Sequence, residues 1–129
     1  MIRMRLVYLA ITVAIFLVEV AIALRLIGGA VVRGSVGDVL VIALIYFFLR
    51  AASLCSPVRA CALAIAAGFV AEALQYIHIV ERLGFAKGGI LYTLIGNTFS
   101  VMDLLMYVIG GVLAISVDRF LVLPRWRAA

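Results

Sequence analysis

Charge is scarce in this chain of 129 residues: Asp, Glu, Lys and Arg make up 13% of it, while 68% is hydrophobic. Soluble domains carry roughly 25% charged residues and about half apolar ones. A domain of this length hides only part of the apolar surface it carries. A water-soluble fold is therefore excluded, and lipid must be part of the solvent. Histidine occurs once and cysteine twice, at Cys55 and Cys61. Neither a zinc site nor a disulfide framework is supported by so few ligands. Both cysteines are read as small apolar residues in a short link on the cytoplasmic side, where a reducing compartment disfavours a disulfide. No metal and no other cofactor is expected.

Dense basic patches are missing too. The net charge is +5, but the basic residues stand singly between apolar runs. Tracking a phosphate backbone needs a clustered Lys/Arg stripe, so nucleic acid is not an expected partner. All the basic residues except Lys87 are Arg, and most sit at the ends of apolar runs. That is where topology signals and headgroup anchors lie.

What the chain does have is four long apolar runs, each able to cross a hydrocarbon layer of about 30 Å as a helix. They are expected at 6–27, 38–54, 58–80 and 99–123, forming one transmembrane domain over residues 1–129. The expected fold is an all-α integral membrane four-helix bundle. Ala21-Ile22-Ala23 resembles a signal-peptide cleavage site, but the apolar run continues beyond it, so the first run is read as a span. A glycine-rich turn holding Gly28, Gly29, Gly34 and Gly37 follows. The second run reaches Leu54 if Arg50 snorkels toward the interface. Ser56-Pro57 reads as a helix start, with Ser as cap and Pro at the first helical position. The connection from Leu83 to Thr98 contains a short apolar piece, Ile90 to Ile95, expected to lie in the interface or to be re-entrant.

Four crossings place both termini on one side, with Arg3, Arg5, Arg50, Arg59, Arg119, Arg125 and Arg127. Arg25, Arg33, Arg82 and Lys87 fall on the other. The positive-inside rule then puts both ends in the cytoplasm.

The depth of the acidic groups is the informative feature. Glu19 lies eight residues before the far end of the first run, or roughly 12 Å at the rise of an α-helix. Glu72 is about as deep in the third, and Asp38 and Asp103 lie near the far-side starts of the second and fourth. Each helix thus brings one carboxylate to the same half of the membrane. Ionisable groups at such depth usually face the bundle interior or a wet cavity. Helical spacing puts Gly68, Glu72, Gln75 and Ile79 on one face; Asp103, Tyr107, Gly110 and Ala114 on another; and Tyr8, Thr12, Ile15 and Glu19 on a third. The candidate ligand-binding residues are Glu19, Arg33, Asp38, Glu72, Gln75, Asp103 and Tyr107, with Arg25 and Arg82 at the rim. The alternative is a structural clamp, in which small residues allow close packing and Glu72 only bonds to a neighbouring helix. His78 reads as an interfacial anchor, and no catalytic nucleophile or acid–base set is evident; an enzyme is not expected.

Ala71-Glu72-Ala73-Leu74-Gln75 followed by Asp103 to Gly110 resembles the Glu-x-x-Gln and Asp-x-x-x-Asn-x-x-Gly signatures of VanZ-like membrane proteins. Tyr107 stands where that pattern has Asn, and the stretch from Gln75 to Asp103 is longer than the pattern's. Arg33 to Val41, the Glu72/Gln75 pair, and Gly96-Asn97-Thr98-Phe99 with Asp103, Tyr107 and Gly110 are similar to a family of short bacterial membrane proteins known only as a domain of unknown function. The resemblance implies a multi-pass protein of the cell inner (cytoplasmic) membrane. Three roles are expected to compete. The first is binding or handling of a lipid or lipid-linked envelope precursor, with acids taking hydroxyls or amines and Arg holding phosphate. The second is a small proton-coupled transporter or homo-oligomeric channel. The third is a scaffold subunit for another membrane protein.

Overall fold

The computed structural model describes residues 1–52, 55–96 and 98–128. Leu54, the expected end of the second run, and Asn97 lie outside them. Within the described residues the chain is all helical: α1 (Ile2–Ala23), α2 (Gly37–Ala51), α3 (Pro57–Tyr76), α4 (Ile79–Arg82), α5 (Ile90–Ile95), α6 (Val101–Val117) and α7 (Leu123–Arg127). A π-helical turn, Val32–Val36, leads into α2, and another, Asp118–Val122, joins α6 to α7. Four stretches are long and apolar enough to cross a membrane: Ile2–Ala23, Val32–Ala51, Pro57–Tyr76 and Val101–Arg127.

Local chemistry explains why these bounds differ from the apolar runs. The first run was expected to stay helical to Ile27, but α1 stops at Ala23. There Arg25 turns left-handed at φ 59°. Its N–H reaches the Ile22 carbonyl and the Leu26 N–H reaches that of Ala21, which closes the orphan carbonyls of the last turn in a Schellman motif. Only Gly28 and Gly29 then form the turn. Gly34 and Gly37, expected there too, are wound into the second crossing through the π-turn, in which the Gly37 N–H reaches back to the Val32 carbonyl. Asp38 therefore stands in the first turn of α2, as expected, but inside a crossing that already begins at Val32.

The third run was expected to continue to Val80. It breaks after Tyr76, where His78 adopts the left-handed conformation, a region in which His is enriched among non-glycine residues. At the other end of α3, the Ser56 side chain accepts from the Arg59 N–H and Pro57 fills the first turn. Cys61 lies within α3 rather than in the link before it. The fourth run does not end at Pro124 as expected. Proline offers no N–H to the carbonyl four residues back and its ring crowds that carbonyl. The turn just before it is widened, so that the Leu123 N–H bonds to the Asp118 carbonyl instead. The helix carries on through Pro124 to Arg127.

Helix α2 is central: it packs against α1, α6 and α3, and α3 also packs against α6. Lipid gives helices no hydrophobic reason to associate, so close approach through small residues matters more. The crossings are lined accordingly by Ala60, Ala64, Gly68, Gly110, Gly111 and Ala114, all buried. Around them the surface is Leu, Val, Ile and Phe, exposed on the outside of every long helix.

Candidate functional site

Two polar layers lie at opposite ends of this bundle. Along the fourth crossing, Asp103 of α6 and Asp118, the first residue of the π-turn after it, are fifteen residues apart, or about 22 Å at the rise of an α-helix. On α1, Tyr8 and Glu19 are separated by about 16 Å on the same basis. Asp38 and Arg50 divide α2 in the same way.

The first layer contains the carboxylates. Glu72 of α3 is 1% exposed. Its Oε1 accepts the Tyr107 hydroxyl at 3.0 Å, and its Oε2 accepts the Ser100 backbone N–H at 3.0 Å. Ser100 also caps α6, accepting the Asp103 N–H at 3.3 Å. The cap thereby holds Asp103 at the mouth of α6. Across the α2–α6 contact, the Asp38 carboxyl meets that of Asp103, with the charges of Glu72 and Glu19 close enough to act on it. Glu19 Oε1 is buried with no hydrogen-bond partner among the described residues. Gln75 turns from this layer to the connection, its Nε2 donating to the Ile95 carbonyl at 2.7 Å. That bond ties α5 to α3.

The structure thus brings together Glu19, Asp38, Glu72, Asp103 and Tyr107, with Gln75 at the edge. It does not bring Arg33 to them. Arg33 is exposed and donates to the Gly28 carbonyl at 3.4 Å, because the π-turn points it back along the chain. Arg25 and Arg82, expected at the rim, are exposed. Among the described residues, no Lys or Arg forms an ion pair with any of the four carboxylates. No three described His, Cys, Asp or Glu side chains are placed to share a metal ion. A groove of about 440 Å³ opens beside Glu72, walled by Phe69, Tyr76, Phe99 and Leu104. Tyr76 and Phe99 meet edge to face in it, their centroids 5.4 Å apart.

The second layer was not foreseen. Arg50 does not snorkel outward. Its Nε lies 2.9 Å from Asp118 Oδ2, and its two terminal nitrogens donate to the Cys55 carbonyl and the Tyr8 hydroxyl. Asp118 is fully buried and also accepts the hydroxyls of Tyr8 at 2.6 Å and Tyr46 at 2.5 Å. An aspartate at this depth needs its lone pairs satisfied, and two helices, α1 and α2, supply the three donors. The one available signal was Asp118, the acidic residue within the expected spans of that half, with Arg50, Arg59 and Arg119 as the basic residues there.

Between the layers, Thr12 bonds to the Tyr8 carbonyl of its own helix, and Ile42, Ala64 and Ala114 fill the space without polar atoms.

Fold and polar layers together define a small multi-pass helical membrane protein. The chain belongs to the family described as Protein of unknown function (DUF2809), whose model matches residues 27–111. That stretch contains Asp38, Arg50, Glu72, Gln75, Asp103 and Tyr107. No curated protein and no solved structure matches the chain.

Proposed function

We propose that the carboxylate layer binds the amine-bearing head of an amphiphile, a lipid or lipid-linked envelope precursor, in the extracytoplasmic half of an inner membrane. The observation that carries this reading is the meeting of Asp38 with Asp103 beside Glu72 and Glu19, with no Lys or Arg ion-paired to any of the four among the described residues. Two carboxylates about 4 Å apart repel by about 4 kcal/mol near a protein surface. A cation or a proton set between them removes that cost. An ammonium suits the site because the neighbouring groove offers aromatic faces and apolar walls for the rest of an amphiphile. Phosphate capture, expected from an arginine rim, is dropped from the reading, since Arg33 is turned away. The Glu72, Gln75, Asp103 and Gly110 pattern that resembles VanZ-like proteins falls in this region, and a VanZ-like role in the envelope is part of the proposal. Both termini would then be cytoplasmic.

The test is to purify the full chain in mild detergent and identify retained lipid by mass spectrometry. An amine-bearing lipid should be retained by the wild type and lost from Asp103→Asn and Glu72→Gln. Equal retention in both variants would overturn the reading.

Proton handling is a second reading, favoured by the carboxyl–carboxyl contact, which a shared proton would neutralise. The apolar packing between the two layers speaks against a continuous path. Flux in proteoliposomes driven by a pH gradient separates the two; no flux of any candidate ion retires the second.

A further inference from the structure

At the end of the bundle away from the carboxylates lies a cavity of about 330 Å³ between the start of α1 and α7, walled by Arg5, Tyr8, Arg50, Trp126 and Arg127. Its volume is in the range of small-ligand sites, and its character is cationic. Arg50 forms its fixed base. Asp118, the Cys55 carbonyl and the Tyr8 hydroxyl take three of the five guanidinium N–H donors. The other two have no partner among the described residues, and their position is set by the buried clamp rather than by a free side chain. The planar fork of an Arg matches phosphate oxygens in pairs.

Trp126 is shared with a second recess. Beyond it an apolar groove of about 460 Å³ runs along the outside of α1, lined by Leu6, Val7 and Ala10, with Arg3 at its edge. A cationic cavity joined to an apolar groove across a single Trp has the outline of an amphiphile: a head in one, a chain along the other. Trp and Arg are also the side chains that settle at the membrane–water boundary.

From this arrangement we infer a second lipid site: the Arg50–Arg127 cavity holds the phosphodiester of an anionic membrane phospholipid, whose acyl chain lies along Leu6, Val7 and Ala10. It is separate from the carboxylate layer, and neither depends on the other.

Trp126 is the sole Trp of the chain, so intrinsic emission reports on this cavity. The full chain in maltoside micelles is titrated with phosphatidylglycerol, with phosphatidylcholine of the same acyl chains, and with inorganic phosphate. The emission should change saturably with phosphatidylglycerol and at least about tenfold more weakly with phosphatidylcholine, whose phosphodiester is the same but whose quaternary ammonium brings a like charge up to the arginines. Inorganic phosphate at millimolar concentration should leave it unchanged. Arg127→Gln, at an exposed position, should keep the thermal unfolding of the wild type and weaken phosphatidylglycerol binding about tenfold. Arg59→Gln, outside the cavity, should bind like wild type. Equal affinity for both lipids, saturation by inorganic phosphate alone, or an unchanged affinity in Arg127→Gln would each overturn the proposal.

Discussion

Arg50 and Asp118 pair at 2.9 Å across sixty-eight residues of sequence, with side chains 14% and 0% exposed. Removing one partner of a buried pair leaves the other charge uncompensated, at a cost of about 3–5 kcal/mol. Asp118→Ala should therefore lower unfolding free energy in detergent by about that much. Tyr8→Phe and Tyr46→Phe, which each delete one hydroxyl donor to a charged group, should cost less, about 1.5–3 kcal/mol apiece. Denaturant titration followed by circular dichroism measures all three. An Asp118→Ala protein as stable as the tyrosine variants would show that the pair adds nothing.

Gly110 sets the distance between α2 and α6. A Cβ there would lie 2.7 Å from the Val39 carbonyl oxygen and 3.1 Å from its Cα. Backbone cannot step aside as a flexible side chain does, so the helices would have to separate. Overpacking of this kind costs about 1–3 kcal/mol, and Gly110→Ala should lose that much in the same titration. Gly34→Ala, with nothing within 4 Å, serves as the control and should change stability far less.

The Gln75 bond to the Ile95 carbonyl holds a helix of six residues that is too short to be stable alone. Gln75→Ala should raise amide exchange across Ile90–Ile95 about tenfold, as loss of roughly 1 kcal/mol or a little more predicts. Exchange in α3 and α6 should be unchanged. A uniform rise throughout the chain would instead mark a global loss of stability.

Four crossings require the chain's two ends to share a side. With Cys55 and Cys61 replaced by Ser, a single cysteine at Ala128 should react with an impermeant maleimide only in inverted membrane vesicles. One at Gly84 should react only in right-side-out spheroplasts. Labelling of both from the same side would contradict the four-span arrangement, and the reverse pattern would invert the orientation.

Composition and apolar run length were enough to reveal an all-helical chain with four spans, because lipid leaves few other solutions. The inward faces of α1, α3 and α6 were readable for a related reason: a carboxylate or glycine repeated at helical spacing has few places to go. Boundaries were less readable. The run to Ile27 gave no sign that Arg25 would turn left-handed, since glycine normally fills that position. Pro124 read as a terminator because sequence spacing does not foresee a π-turn that makes room for it. The Arg50 clamp was missed for a different reason. Its members come from residues 8, 46, 50, 55 and 118, and no local pattern joins Tyr8 and Asp118 to the others. Arg33 misled in the opposite sense: its place in the chain put it beside the acids, while the winding of its turn carries it away.

The apolar interval between the two ends has a further consequence. Helices bonded at the rims and only packed at the waist depend there on the size and shape of the side chains. Swapping Ile42 or Ala114 for a residue of similar bulk costs only fit, whereas sliding α2 or the fourth crossing by one turn disturbs both rims at once. Register is thus fixed from both rims, and the middle of the molecule is held by shape alone, with Gly110 close against the backbone of Val39.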